Sequence, residues 1–186
     1  DDSELYPFEP KRNYLEDEGV KVYTCGYHCD NPRIYEFPNS FYDDMNIYRE
    51  YRKSYFYVPS YDKAMELYQS IKEPYILIHQ NSSQKKIDIY NYLQAQYPDM
   101  LILDINNNNY HENHKFHEVA QKVVNQPMMW YKLLIENAKQ IHCLESSFYC
   151  FASHLDLSKV EKKVCYDPFD RSAQRIGVFE TGYLTN

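Results

Sequence analysis

The stretch Gln140-Ile141-His142-Cys143-Leu144-Glu145-Ser146-Ser147-Phe148-Tyr149-Cys150-Phe151-Ala152-Ser153-His154-Leu155 decides the fold. Gln140 to Leu144 reads as a strand. The period then changes. Phe148, Phe151, Ala152 and Leu155 stand at i, i+3, i+4 and i+7, which is one face of a helix from Ser147 to Leu155. Between the two lies Glu145-Ser146-Ser147, a strand-to-helix turn in which a serine caps the helix. The N–H groups of a first helical turn have no acceptor within the helix, so they are available to an anion.

The same β/α alternation extends in both directions. Upstream, Ser60 is placed to cap a helix with Ala64, Leu67, Tyr68 and Ile71 on one face, stopped by Pro74. Tyr75-Ile76-Leu77-Ile78 reads as a buried strand, and the polar turn from Gln80 to Lys86 leads into a helix with Ile87, Tyr90 and Leu93 inward, ended at Pro98. Met100 to Ile105 is a second strand, and Asn106 to Asn109 is a loop, because asparagine tolerates turn conformations. Helices follow through Phe116, Ala120, Val123 and Val124, and from Met128 to Ala138 with Met129, Leu133 and Leu134 on the apolar side. Gln140 to Leu144 is the third strand and Lys163 to Tyr166 the fourth. Strands alternating with helices over residues 74–167 predict an α/β fold: a Rossmann-like parallel sheet flanked by helices. Residues 1–59 are irregular, with one candidate strand at Val20 to Thr24 and crowded aromatics over 41–58, so the expected division is 1–59 and 60–186.

Composition narrows the function. The net charge of −7 argues against a general binder of nucleic acid or of anionic membranes. A hydrophobic share of 44% supports a core, while no apolar run approaches the ~20 residues of a membrane span. The start Asp1-Asp2-Ser3-Glu4 shows no signal peptide. Five cysteines without a small-scaffold pattern suggest reduced thiols and a cytoplasmic setting, with Cys143 and Cys150 expected on core faces. With only four glycines, neither a Walker loop nor a GxGxxG motif is present, so any nucleotide is held without a glycine-rich cradle.

Parallel sheets bind ligands at the carboxyl ends of their strands, where strand order reverses. Two turns fall there. Gln80, Asn81, Ser82 and Ser83, followed by Gln84-Lys85-Lys86, offer amides, hydroxyls and two cations to a phosphate, or else form an ordinary solvated helix start capped by Ser82 or Ser83. Glu145, Ser146, Ser147 and Phe148 offer N–H donors to an anion, with Glu145 suited to a sugar or ribose hydroxyl, or else cap a helix and nothing more. His79 stands at the mouth of the same crevice, whereas His142 reads as a satisfied interior residue. His111, His114 and His117 have a spacing that would bring them together on a helix, but the preceding asparagines favour a loop, and Cys25-Gly26-Tyr27-His28-Cys29 lacks a second ligand pair, so no metal site is expected.

Set on these elements, the chain resembles the C-terminal, donor-binding half of a GT-B glycosyltransferase over roughly residues 40–170. The similarity runs through Phe41-Tyr42-Asp43-Asp44, Arg49 and Arg52, then Asp62 to Tyr68 and the strand Tyr75 to His79. It is strongest from Trp130-Tyr131-Lys132-Leu133-Leu134-Ile135-Glu136-Asn137-Ala138 to Ser146-Ser147-Phe148, where a helix, a strand and a Ser-Ser turn lead to a helix beneath the donor diphosphate. The resemblance implies transfer of a sugar from a nucleotide-sugar to a glycan or protein acceptor, without metal or other cofactor. Ser146, Ser147 and the Phe148 N–H would meet the diphosphate, and the turn Gln80 to Ser83 would line the crevice. A complete GT-B enzyme has two Rossmann-like domains, and residues 1–59 would be at most a remnant of the acceptor-side domain that carries the catalytic base. No base is assigned. His28 and Asp30 are only titratable groups in that part, and Asp43-Asp44 does not follow a buried strand as a metal-binding motif would.

Two other readings compete. One is a non-catalytic Rossmann-like module that uses its tyrosine-rich surface (21 tyrosines in the chain) for a protein or glycan partner. The other is a different α/β enzyme, such as a phosphatase or nucleotide hydrolase. That reading needs paired carboxylates at strand ends, and Asp104 alone occupies such a position.

Overall fold

The computed structural model describes residues 48, 56–59, 61–82, 85–166, 178–182 and 184. The chain divides into two compact units, Asp1–Ser54 and Tyr55–Asn186, and all the described residues except Tyr48 belong to the second. Its elements are α1 (Asp62–Gln69), β1 (Tyr75–His79), α2 (Ile89–Gln96), β2 (Leu101–Asp104), α3 (His117–Val123), a 3-10 turn (Met128–Tyr131) running into α4 (Lys132–Glu136), β3 (Gln140–Leu144), α5 (Ser147–Ala152), β4 (Lys162–Tyr166) and β5 (Glu180–Gly182).

The five strands form one parallel sheet in the order β2-β1-β3-β4-β5. Every residue of β1, β2 and β3 is buried, which is why β1 and β2 are apolar up to their last residues and why the polar Gln140 and His142 of β3 are hydrogen-bonded to each other. The two faces carry separate cores. On one face Leu77, Leu103, Ile141 and Cys143 pack with α1, α3, α4 and α5 through Leu67, Val123, Leu134, Ile135 and Phe148. On the other, Ile76, Ile78, Ile102 and Val164 pack with α2 through Ile89 and Leu93. A right-handed crossover explains this division. The path β1-α2-β2 moves one way across the sheet, while β2-α3-α4-β3 and β3-α5-β4 move the other way, so their helices lie on the opposite face.

Several local expectations need correction. Ser60 lies outside the described residues, and the residue at the α1 N-cap is Tyr61, which makes no side-chain cap bond. The α2 cap is Asp88, whose carboxylate accepts from Asn91 N–H, whereas Ser82 Oγ accepts from Lys85 N–H within the preceding turn. The helix expected from Met128 to Ala138 opens as a 3-10 turn and buries Tyr131, Leu134 and Ile135, leaving Met129 exposed. The phenol of Tyr131 decides that local path: it donates to Val123 O at 2.7 Å and accepts from Gln126 N–H at 2.7 Å. Cys143 is buried as expected, but Cys150 is exposed, because α5 turns Phe148, Tyr149, Phe151 and Ala152 inward. The β2 edge has its Ile102 N–H covered by the Tyr110 phenol at 2.8 Å, which removes a donor that would otherwise invite edge pairing.

The strand β5 has no counterpart in the sequence reading. Its Gly182 is forced by close approach, since a Cβ there would overlap the side chains of Val164 and Tyr166. Gly182→Ala is therefore expected to destabilise the unit by roughly 1–3 kcal/mol through overpacking. Urea unfolding of the two proteins checks this, and equal midpoints would contradict the packing described.

Candidate functional site

Strand order reverses between β1 and β3, whose neighbours are β2 on one side and β4 on the other. Open parallel sheets commonly bind ligands at such a position, at the carboxyl ends of the two strands. His79 ends β1 and is the register partner of Cys143, so the turn after β3 falls beside it. Ser146 is the α5 N-cap in extended backbone, and its Oγ accepts from Tyr149 N–H at 3.4 Å. The same oxygen donates to Leu144 O at 3.2 Å and lies 3.3 Å from His79 Nδ1. The His79 ring stacks on Phe148, with centroids 5.2 Å apart and planes 18° apart. Phe148 is fully buried, so only its backbone N–H is left for a ligand, while Ser147 is exposed and Glu145 and Ser146 are half-buried.

Burial also sets the charge state of this corner. His79 is 7% exposed, and desolvation holds its imidazole down at about 4, so it is neutral near pH 7. His142 sits deeper in β3, with Nδ1 2.9 Å from the Tyr166 hydroxyl and Nε2 3.0 Å from Gln140 Oε1. Burial, aided by the Lys162 cation, lowers it to about 4 as well, as a satisfied interior histidine requires.

On the α2 face of the same edge the polar groups are used differently. Gln80 is buried. Its amide donates to Asp104 Oδ2 at 2.7 Å, and its carbonyl accepts from Tyr90 N–H at 2.9 Å. Asp104 also accepts from Asn109 Nδ2 at 2.8 Å and from Asn106 N–H at 2.8 Å. Desolvation raises the Asp104 carboxyl above its ordinary range despite these bonds. Among the described residues its hydrogen-bond partners are amides throughout, with no second carboxylate among them. Asn81 N–H is taken by Asn106 Oδ1 at 3.1 Å, and Asn81 bridges to Lys86.

Of the residues singled out in the sequence, Glu145, Ser146, Ser147 and Phe148 thus fall at the switch point. Gln80 directly follows β1, and its side chain ties β1, β2 and α2 together through Asp104 and Tyr90. Asn81 and Ser82 close a turn, and Ser83 lies outside the described residues. Cys25, His28, Cys29, Asp30, Asp43 and Asp44 also lie outside them. His111 is exposed, His114 stacks on Tyr110, and His117 Nδ1 meets Tyr110 O at 2.9 Å. Among the described residues no three histidine, cysteine or carboxylate side chains are grouped as metal ligands. The contribution of His79 was only half legible. Its position at a strand end was visible, but contact with Ser146, 67 residues away, follows from the β1–β3 pairing.

Compared with known protein families, curated proteins and solved structures, the chain matches none. The class that the fold defines is an α/β protein with a parallel sheet and flanking helices, compatible with a Rossmann-like fold. Among the described residues no helix is long and apolar enough to cross a membrane.

The two neutral histidines give the unit a pH signature. Unfolding restores an ordinary imidazole near 6.5. Between that value and about 4 the unfolded chain binds more protons than the folded one. Stability contributed by the two groups is therefore present above pH 6.5 and is lost as pH falls towards 4, by on the order of a few kcal/mol. Denaturant unfolding across that range should show the decline, and His142→Gln should flatten part of it. A wild-type profile without slope between pH 6.5 and 4 would contradict the burial of both rings.

Proposed function

We propose that the Tyr55–Asn186 unit is a donor-binding half of GT-B type, holding a nucleotide-sugar for transfer of its sugar to an acceptor. The observation that carries this reading is the switch point itself: Ser146 caps α5 at the carboxyl end of β3, directly beside the end of β1. In this reading the diphosphate lies against the Ser147 hydroxyl and the N–H groups that open α5. Glu145, half-buried at the strand end, serves a sugar or ribose hydroxyl. During transfer the bond between the sugar and the diphosphate breaks, and the leaving nucleoside diphosphate gains negative charge. Fixed N–H dipoles stabilise such charge without reorganising. The exposed Lys85 and Lys86, on the turn after β1, add positive potential at the same sheet edge.

A second reading, a non-catalytic module for a protein or glycan partner, draws on a different observation. Tyr61 and Met65 of the α1 region and Met129 of the adjoining 3-10 turn are all exposed, on elements that pack together. Scattered apolar residues are normal on surfaces, so the switch point carries more weight.

Thermal-shift measurements with GDP, UDP, ADP and dTDP separate the two. One nucleotide is expected to stabilise the protein, by ~2.7 kcal/mol at a hundred-fold excess over its Kd. The double substitution Ser146→Ala with Ser147→Ala should weaken that nucleotide more than it weakens the fold, because losing a cap costs only ~1 kcal/mol. A folded protein indifferent to all four nucleotides would sink the donor-binding reading.

A further inference from the structure

His79 is nine-tenths buried, yet among the described residues only one of its ring nitrogens has a partner. Nδ1 meets Ser146 Oγ at 3.3 Å, and no group among the described residues reaches Nε2. A buried polar atom without a partner calls for an explanation, since such atoms are almost always satisfied. The bonds around Ser146 favour one tautomer of His79, and with it one kind of atom at Nε2. A serine hydroxyl has one proton to donate and two lone pairs to accept. Tyr149 N–H occupies one lone pair, and Leu144 O, a carbonyl that can only accept, is the nearer acceptor for the hydroxyl proton, at 3.2 Å against 3.3 Å for His79 Nδ1. The remaining contact is satisfied only if His79 Nδ1 carries the ring proton and donates to Ser146 Oγ. The neutral ring then presents Nε2 as a bare lone pair.

We infer that His79 Nε2 is a specificity-determining acceptor that takes a hydrogen bond from a hydroxyl group of the ligand's sugar at the β1–β3 switch point. The inference rests on the nucleotide-sugar reading for the identity of the ligand, and it goes beyond that reading by dividing the crevice. A deprotonated phosphate oxygen has no proton to offer Nε2 and is repelled by its lone pair. The diphosphate therefore belongs on the Ser147 side, and the hydroxyl-bearing part of the ligand at His79. Geometry and burial also define what His79 does not do. Desolvation makes the imidazole a weak base, so it accepts a hydrogen bond and leaves the proton on the hydroxyl. Its orientation is fixed from both sides, by the Ser146 bond and by the Phe148 stack, so the acceptor is held in place before a ligand arrives.

Two sugars could supply the hydroxyl, the ribose and the transferred sugar, and the experiment distinguishes them. The full chain, labelled with 15N in histidine, is titrated with pyrophosphate, nucleoside diphosphates, their nucleotide-sugars and free monosaccharides while the His79 ring nitrogens are followed by NMR. In the free protein Nδ1 should be protonated and Nε2 bare. Pyrophosphate should leave Nε2 unmoved. A shift with nucleotide-sugar and monosaccharide assigns the contact to the transferred sugar, and a shift already present with the nucleoside diphosphate assigns it to the ribose. His79→Phe, which keeps a ring against Phe148, should lower nucleotide-sugar affinity about ten-fold. His79→Gln, which returns an amide oxygen near the Nε2 position, should recover most of it. A free protein protonated at Nε2, or a nucleotide-sugar that binds without moving Nε2, overturns the inference and leaves the nucleotide-sugar reading intact. If no nucleotide binds but a monosaccharide shifts Nε2, the nucleotide-sugar reading fails and the hydroxyl contact stands. If nothing shifts Nε2, the inference falls as well.

Discussion

A chain that builds a parallel sheet with right-handed crossovers can reverse its direction of travel only by moving its helices to the other face. In this unit that single constraint separates α2 from α3, α4 and α5, and places the reversal between β1 and β3. Neither flanking helix runs over the gap between the carboxyl ends of those strands, because the crossovers on its two sides depart in opposite directions. Buried strands then fix register, since a slip by one residue would move Leu77 and Ile141 off one core and Ile76 and Val164 off the other. The corner occupied by His79 and Ser146 is thus a consequence of topology before it is a matter of local sequence.

The two faces meet this corner with different chemistry. On the α2 face, Gln80 satisfies both ends of its amide against Asp104 and Tyr90, and Asp104 gathers further N–H donors. That network is closed within the protein and works as a clamp on three elements. On the α5 face, Ser146 is likewise satisfied, but the chain of bonds ends at His79, whose second nitrogen meets no group among the described residues. Networks closed within the protein stabilise, whereas one that stops short inside a buried site marks the place where something else completes it. The contrast between the closed Gln80 network and the His79 one is the ground for placing the proposed ligand on the α5 face.

The alternation of strands and helices was legible because burial on both faces makes Tyr75–Ile78 and Leu101–Leu103 apolar runs, and because Leu67, Leu93, Phe148 and Phe151 keep helical spacing. What escaped was whatever depends on partners distant in sequence. Gln80 looks like a ligand-facing amide in the sequence, and only the neighbouring strand supplies the Asp104 that claims it. Ser82 looks like a cap, but the bridge from Asn81 to Lys86 closes the turn first and delays the helix to Asp88. The strand β5 is three residues long with a glycine inside it, so neither length nor propensity announces it, and it forms because β4 offers an unpaired edge. The exposure of Cys150 was a matter of phase: it lies between Tyr149 and Phe151, on the side of α5 that their burial turns outward.

The helix α5 also shows how the site is held. With six residues it is far too short to be stable alone, so its start cannot be positioned by helical propensity. Its position comes from the core, through the full burial of Phe148 and Ala152 and the near-complete burial of Phe151, and from the Ser146 cap. The field of so short a helix is weak, and an anion placed there would depend on individual N–H groups and on the Ser147 hydroxyl for direct bonds. Direct bonds require fixed geometry, and here the same Phe148 that anchors α5 in the core also stacks on His79. One buried aromatic ring therefore holds both the first turn of α5 and the imidazole opposite it. A loss of packing at Phe148 would loosen the two sides of the crevice together.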